Sequence, residues 1–81
     1  TRVTLEGENY MAGVLIGRFG KDIIFAPIDE NHFRTTVTVA VSTHFLGWVV
    51  SLGGGIKIVA PDSVVGQMKD MIEQLNEQYN I

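Results

Sequence analysis

The sequence of 81 residues contains no cysteine and only two prolines. The absence of cysteine excludes a disulfide scaffold and a cysteine-based zinc site, and it fits a reducing compartment, so we expect a cytoplasmic protein. Basic residues are also scarce, since six lysines and arginines stand against nine acidic residues and form no run. A net charge of −3 argues against direct binding of duplex DNA by this chain alone, because such binding needs a basic surface.

Long hydrophobic runs are missing as well. No stretch approaches the ~20 apolar residues of a membrane-spanning helix, so we expect no membrane contact. The chain begins at Thr1 without methionine and enters a strand-like segment almost at once. We interpret it as one domain, residues 1–81, taken from a longer protein whose N-terminal partner domain is not in this chain. A domain of this size buries only about 60% of its unfolded surface, so a partner would help to stabilise it.

Apolar periodicity predicts a strand followed by a helix at the N-terminus. Val3 and Leu5 alternate with polar neighbours, which is typical of a short strand. Asn9 is a candidate N-cap for the helix, and Gly20 is a candidate residue for ending it. The residues predicted to face the core in this helix are Tyr10, Met11, Val14, Leu15 and Phe19.

A hairpin is predicted next. Segment 23–28 is rich in β-branched residues, but Pro27 cannot donate to a strand ladder, which favours an edge strand. Asp29 and Glu30 belong to the turn, where solvated acids are expected. Positions 33–41 alternate over nine residues and predict a half-buried strand. Its predicted inward residues are Phe33, Thr35, Val37, Val39 and Val41.

The remaining elements are a helix, a strand and a long last helix. Ser42 or Thr43 can cap the second helix, and the run from Gly53 to Gly55 predicts a tight turn. The residues of the second helix that are predicted to face inward are Phe45, Leu46, Val49, Val50 and Leu52. Segment 56–59 predicts a strand, and Pro61 suits the start of the last helix. The apolar stripe of that helix comprises Val64, Val65, Met68, Ile72, Leu75 and Tyr79.

The predicted order is β-α-β-β-α-β followed by one helix. This order matches the ferredoxin-like arrangement, an α+β fold with a four-stranded antiparallel sheet and two helices on one face. The other face of the sheet needs cover or exposure. The last helix could cover it, or it could reach across to a second subunit, and the sequence leaves both open.

Several segments in this order resemble the C-terminal extension, known as WCX, of bacterial transcriptional regulators that contain a WYL domain. They are Arg-Phe-Gly-Lys-Asp at 18–22, Phe33 with its alternating valines, Phe-Leu-Gly-Trp at 45–48 with the glycine turn, and Ile-Val-Ala-Pro-Asp-Ser-Val at 58–64. The resemblance extends from about Val3 to Tyr79. The chain departs from the family pattern at 53–55, where three glycines replace a glycine with polar neighbours.

The resemblance implies a longer regulator. Its N-terminal helix-turn-helix would bind promoter DNA, and a WYL domain would follow; neither is in this chain. The family also implies a homodimer and an effector such as a nucleotide or a single-stranded nucleic acid, to which the extension contributes contacts. The sequence therefore predicts a non-catalytic module for regulation, oligomerisation and effector sensing. The alternative is a stand-alone ferredoxin-like sensor of a small ligand.

Two groups of residues are candidates for these contacts. Arg18, Lys21, His44 and Trp48 could touch a ligand or a neighbouring domain. Each also has an ordinary interpretation: cations are favourable near a helix C-terminus, His44 could be a surface residue, and Trp48 could lie at the margin of the core. Met68, Ile72, Leu75 and Tyr79 form a candidate oligomer interface, unless that stripe packs on its own domain.

Other motifs favour structural roles. Gly13 and Gly17 have the spacing that permits close backbone approach, which we attribute mainly to packing of the helix on the sheet, with a dimer contact as the alternative. Lys57 lies in a predicted strand, so the three glycines do not form a phosphate-binding loop. No nucleophilic serine or cysteine motif occurs, and His32 and His44 lack a third metal ligand at suitable spacing. We therefore expect no catalysis, no metal and no cofactor.

Overall fold

The computed structural model describes residues 1–79, and within them one four-stranded antiparallel sheet is backed by helices. The strands are β1 Arg2–Glu8, β2 Ala26–Pro27, β3 His32–Thr38 and β4 Ile56–Ala60. The α-helices are α1 Ala12–Phe19, α2 Thr43–Ser51 and α3 Asp62–Tyr79. The strand order β2-β3-β1-β4 is that of the ferredoxin-like split β-α-β arrangement, so the predicted α+β fold is confirmed.

The two central strands carry the core because their inward residues alternate with polar ones. Val3 and Leu5 of β1 are fully buried, and the register places Val3 opposite Val37 of β3. The helices complete the core with Met11, Leu15, Phe45, Leu46, Val49 and Val64. Thr35 is the polar residue in this buried set, and its hydroxyl donates to the carbonyl of Ile24 at 2.6 Å.

Close backbone approach at one end of β1 explains two glycines. A Cβ added to Gly7 would lie 3.0 Å from the carbonyl oxygen of Gly55 and 3.0 Å from Cζ of Phe33. A Cβ added to Gly55 would lie 2.8 Å from Cγ of Met11. The predicted turn at 53–55 is a 3-10 turn that lets this glycine lie under the start of the first helix.

The first helix begins later than predicted, and Asn9 does not cap it. A 3-10 turn spans Asn9–Met11, so α1 starts at Ala12. The Asn9 amide instead donates to the carbonyl of Glu30 at 2.9 Å, and its backbone N–H donates to the carbonyl of Asn31 at 2.8 Å. Asn9 therefore fastens the end of β1 to the hairpin turn. The predicted helix end is confirmed, because Gly20 has φ 95°.

The buried faces of α1 and α2 are narrower than predicted. Tyr10 and Val14 are exposed, because Met11, Leu15 and Phe19, four residues apart, already fill the space above the sheet. Val50 of α2 is also exposed. The cap of α2 is Ser42 and not Thr43, since its Oγ accepts from the N–H of Phe45 at 3.2 Å.

Both strands of the hairpin are shorter than predicted. Only Ala26 and Pro27 pair with β3, at the predicted edge of the sheet. β3 ends at Thr38, although Val39 and Val41 still pack partly against the core. Asp29 and Glu30 lie exposed in the turn, as predicted.

The second face of the sheet is polar, and α3 does not cover it. The hydroxyl groups of Thr4 and Thr36 form a hydrogen bond of 3.1 Å between β1 and β3. Arg34 donates two hydrogen bonds to Glu6, at 2.9 and 2.6 Å. α3 lies beside the start of α2, because Met71 and Gln74 border the same depression as Leu46 and Thr43. All three helices therefore lie on one side.

A candidate interaction site on the helical face

The C-terminal end of α1 and the middle of α2 form an aromatic cluster around Trp48. The Trp48 ring packs edge-on against Phe19, with centroids 5.7 Å apart and an interplanar angle of 88°. It also contacts Phe45 in a tilted arrangement with centroids 6.3 Å apart. Trp48 is half-buried and packs against the core, so the predicted position at the core margin is confirmed.

Arg18 lies above this cluster. Its Cζ is 5.0 Å from the centroid of the Trp48 ring, which is within the range of a cation–π interaction. Arg18 is in the last turn of α1, where a positive charge is favourable. Within residues 1–79 the ion pairs involve other side chains, so no carboxylate neutralises Arg18 there. Its guanidinium is thus held over an aromatic ring and remains available to an anion or a carboxylate.

Arg18 and Trp48 border a shallow cavity of about 450 Å³ that we call the helical cleft. Its lining residues are Arg18, Thr43, His44, Gly47 and Trp48. Three of the four predicted contact residues therefore come together. Lys21 does not line the cleft; it is exposed in the turn that follows Gly20. Gly47 was not predicted as a contact residue, and its sequence position carries no signal of its place in the cleft.

The second predicted group divides along α3. Val64 is buried, and Met68 and Met71 pack against the core, so the first half of the helix belongs to the domain body. The residues from Ile72 to Tyr79 are all exposed. Ile72, Leu75 and Tyr79 continue the apolar stripe and expose 54%, 37% and 68% of their surface; we call these three residues the α3 strip.

The α3 strip lies on the last part of α3, which extends beyond the domain body. Eight residues of helix measure about 12 Å, at 1.5 Å per residue. This face of α3 packs against the domain up to Met71 and is exposed beyond it, so the apolar stripe continues past the part of the helix that the domain covers. Three apolar residues therefore repeat at helical spacing on an exposed helix end.

Gly13 and Gly17 face away from the sheet, whereas the sequence favoured packing of these glycines against it. Both are exposed, and within the described part of the chain no atom lies within 4 Å of a Cβ added to either. Packing of this helix on the sheet uses Leu15, which is fully buried on the other side. The interpretation of the two glycines as residues that pack the helix on the sheet is therefore wrong.

A third surface, at the end of the sheet, was not found from the sequence. It is a cavity of about 440 Å³ bordered by polar side chains that include Glu6, Glu8, Asp29, His32 and Lys57. The pKa of Asp29 is lowered, first by the N–H of Asn31 and then by hydrogen bonding to His32, whose Nδ1 is 2.8 Å away. The signal would have been the cross-strand register, which places Glu6 opposite both Arg34 and Lys57.

The described part of the chain, residues 1–79, holds neither a metal-binding cluster nor a membrane-spanning helix. No group of three or more histidine, aspartate or glutamate side chains is arranged there to hold a metal ion. Over the same residues, no helix combines the length and the apolar character needed to span a bilayer.

Comparison with known families agrees with the fold and the motifs. A family model described as the WCX domain matches residues 1–75. Neither a curated protein nor a solved structure matches the chain. The match covers the sheet, the helical cleft and most of α3.

Proposed function

Because the chain belongs to the WCX domain family, we propose that it is the regulatory module of a bacterial DNA-binding transcriptional regulator with a WYL domain. In this proposal the module is non-catalytic and acts in the cytoplasm. It converts effector occupancy at the junction with the WYL domain into a changed dimer geometry, and so into a changed affinity of an N-terminal helix-turn-helix for promoter DNA. The observation that carries the proposal is the family match over residues 1–75.

Two surfaces support this role. The helical cleft presents Arg18 and His44 beside the Trp48 ring, a combination suited to an anionic or aromatic group of an effector or to a neighbouring domain. The α3 strip offers apolar residues for self-association into a homodimer. An effector changes an equilibrium only through contacts that differ between two arrangements of the subunits, and these two surfaces offer such contacts in the proposal.

The DNA-binding part of the proposal has a direct test. The chain carries a net charge of −3, and the exposed sheet face presents Glu6 and Glu8 along with its basic residues. We expect that this chain does not change the electrophoretic mobility of duplex DNA at physiological salt, since in this proposal another domain makes the promoter contacts. Binding of duplex DNA that weakens steeply with salt would contradict the proposed division of labour.

The effector part can be tested by fluorescence. Trp48 is the only tryptophan in the chain, and it borders the helical cleft, so a ligand there should change its emission. Titrations with nucleoside mono- and diphosphates and with short single-stranded oligonucleotides should produce a saturable change that Arg18→Ala abolishes. Arg2→Ala, on the opposite face of the domain, is the matched control and should leave the titration unchanged.

The second candidate function, a stand-alone sensor of a small ligand, rests on the same cleft. The cavity of about 450 Å³ is of the size that holds a small molecule. A metabolite that raises the melting temperature of the isolated chain by mass action, and that binds no more tightly when a WYL domain is joined to the chain, would favour the sensor. An effector whose binding tightens when a WYL domain is joined to the chain would favour the regulator.

A further inference from the structure

We propose that the open edge of β3 is a docking site for an extended segment of another polypeptide, which adds to the sheet as an antiparallel strand and carries an apolar side chain between basic ones. The edge runs along Thr36, Val37 and Thr38, where β2 no longer pairs with β3. We call these three residues the β3 edge. They share no residue with the helical cleft or with the α3 strip.

The pairing of β3 with β1 determines which backbone groups of the β3 edge point outwards. In an antiparallel ladder, residues that exchange two hydrogen bonds with their partner alternate with residues that exchange none. Val39 exchanges two such bonds with Thr1, at 2.9 and 3.0 Å. Val37 therefore points its N–H and C=O groups towards β1 as well. Thr36 and Thr38 point theirs away from β1, towards the open side of the sheet.

The outward groups of these two threonines lack partners. Nearer the hairpin turn, Ala26 of β2 pairs with Arg34 on this side of β3. Within residues 1–79, no hydrogen bond reaches the backbone N–H or C=O of Thr36 or Thr38 from this side. Each threonine thus offers one donor and one acceptor to a strand that adds to the sheet.

The β3 edge also lacks the features that protect edge strands from pairing with other chains, which are charged side chains, proline and bulges. β4, at the other side of the sheet, has Lys57, is followed by Pro61 and pairs with β1 in an irregular register. Residues 35–41 contain neither a charged residue nor proline, and the register of β3 with β1 is continuous. An uncharged edge rich in β-branched residues readily pairs with a further strand.

A notch beside the β3 edge has room for an apolar side chain of the added strand. Its volume is about 250 Å³, and Phe19, Ile23 and Val37 form its apolar wall. Facing residues of an antiparallel pair project to the same side of the sheet. The residue of the added strand that faces Val37 therefore projects into the notch and should be apolar. Its two neighbours project to the polar side, where Thr36 and Thr38 are exposed.

Asp22 selects the charge of the partner. It is the charged residue that borders the notch, it is exposed, and the ion pairs of residues 1–79 do not include it. A lysine or arginine two positions from the apolar residue projects to the same side of the added strand, towards this carboxylate. A second copy of the chain is disfavoured, because a two-fold axis at Val37 would bring both Asp22 carboxylates to one junction.

A symmetric peptide, acetyl-Lys-Thr-Val-Thr-Lys-amide, is the probe, and the whole isotopically labelled chain is observed by NMR. The threonines of the peptide can pair with Thr36 and Thr38 while its valine faces Val37. We expect the peptide to shift the amide signals of both threonines of the chain and to slow their hydrogen exchange by about tenfold. The Val37 amide, which already points to β1, should exchange at an unchanged rate. No change at Thr36 and Thr38 with millimolar peptide, or changes confined to the helical cleft, would overturn the proposal.

Two modified peptides separate the backbone contribution from the charge contribution. Methylation of both threonine nitrogens removes the peptide's donors and should abolish binding, so binding that survives would contradict strand addition. Replacement of both lysines by glutamate should weaken binding about fivefold, because the exposed carboxylate of Asp22 would then face like charges. Equal binding of the lysine and glutamate peptides would refute the assigned charge.

Matched substitutions in the chain locate the charge effect. Asp22→Lys should reverse the preference, so that the glutamate peptide binds more tightly than the lysine peptide. Asp70→Lys makes the same change of net charge at an exposed position of α3 and should leave the preference unchanged. An equal effect of both variants would contradict the role of Asp22. Without peptide, protection of the Thr36 and Thr38 amides that rises with protein concentration would identify a second copy as the occupant and overturn the proposal.

Discussion

The close approach of β1 to the glycine turn makes Gly7→Ala a stringent test of the sheet register. The added methyl would meet the carbonyl oxygen of Gly55 at 3.0 Å and Cζ of Phe33 at 3.0 Å, and it would also contact Cδ1 of Ile56. The carbonyl is backbone and cannot move without shifting the turn. Phe33 is buried and is held edge-on against Phe25, with centroids 4.8 Å apart, so it cannot move away cheaply.

Overpacking of this kind costs about 2 kcal/mol. In a domain of this length such a loss lowers the melting temperature by about 10 °C. The assay is thermal unfolding followed by far-ultraviolet circular dichroism, with urea unfolding as a second measure of the free energy.

The matched control is Gly66→Ala, which makes the same chemical change in the second turn of α3. Within residues 1–79 no atom lies within 4 Å of its Cβ, so the variant should gain about 0.5–1 kcal/mol from helix propensity. The two substitutions should therefore change the melting temperature in opposite directions. A neutral or stabilising Gly7→Ala would refute the register that places Gly7 between Phe33 and Ile56.

Three further substitutions test other parts of the account. Trp48→Ala removes the contacts with Phe19 and Phe45 and should cost about 3 kcal/mol by urea unfolding, whereas Trp48→Phe should retain most of that stability. Ser42→Ala removes the cap of α2 and should cost about 1 kcal/mol; an unchanged midpoint would show that the cap is unimportant. The lowered pKa of Asp29 stabilises the fold above the ordinary value of 3.8. That stabilisation is lost as the pH falls through the folded-state pKa of Asp29, so Asp29→Asn should flatten the acid limb of a stability–pH profile.

The order of the elements could be predicted because each depends on local periodicity. The strand at 33–41 and the helix that includes Leu15 could be predicted because one side of each element is apolar. Local periodicity does not determine how wide the buried face of each helix is. Val14 and Val50 are apolar and correctly spaced, yet they are exposed, because a thin core on a small sheet buries only a narrow stripe of each helix.

The roles of the glycines and of Asn9 could not be read from sequence alone. Gly7 and Gly55 are required by contacts between segments far apart in the chain, whereas Gly13 and Gly17 face away from the domain. Asn9 is well placed for a cap, but its amide reaches the hairpin turn at Glu30 instead. Such choices depend on which distant backbone groups need partners, and the local pattern does not contain that information.

The candidate site was partly accessible from sequence. Arg18, His44 and Trp48 were predicted as contact residues and share one cleft, while Lys21 lies outside it. The α3 stripe was predicted as one surface, but Met68 belongs to the core margin and the exposed part begins at Ile72. The boundary lies where the helix leaves the domain body, which is a property of the fold and not of the stripe.

Light scattering after size exclusion, over a range of protein concentrations, tests the proposed interaction module most directly. The account predicts that the chain approaches about twice its mass of 8.9 kDa as the concentration rises. The Ile72→Ser/Leu75→Ser variant should remain at 8.9 kDa with an unchanged melting temperature at low concentration, because both side chains are already exposed in one copy. A wild-type chain that stays at the single-chain mass throughout, or a variant that associates as strongly as the wild type, would contradict it.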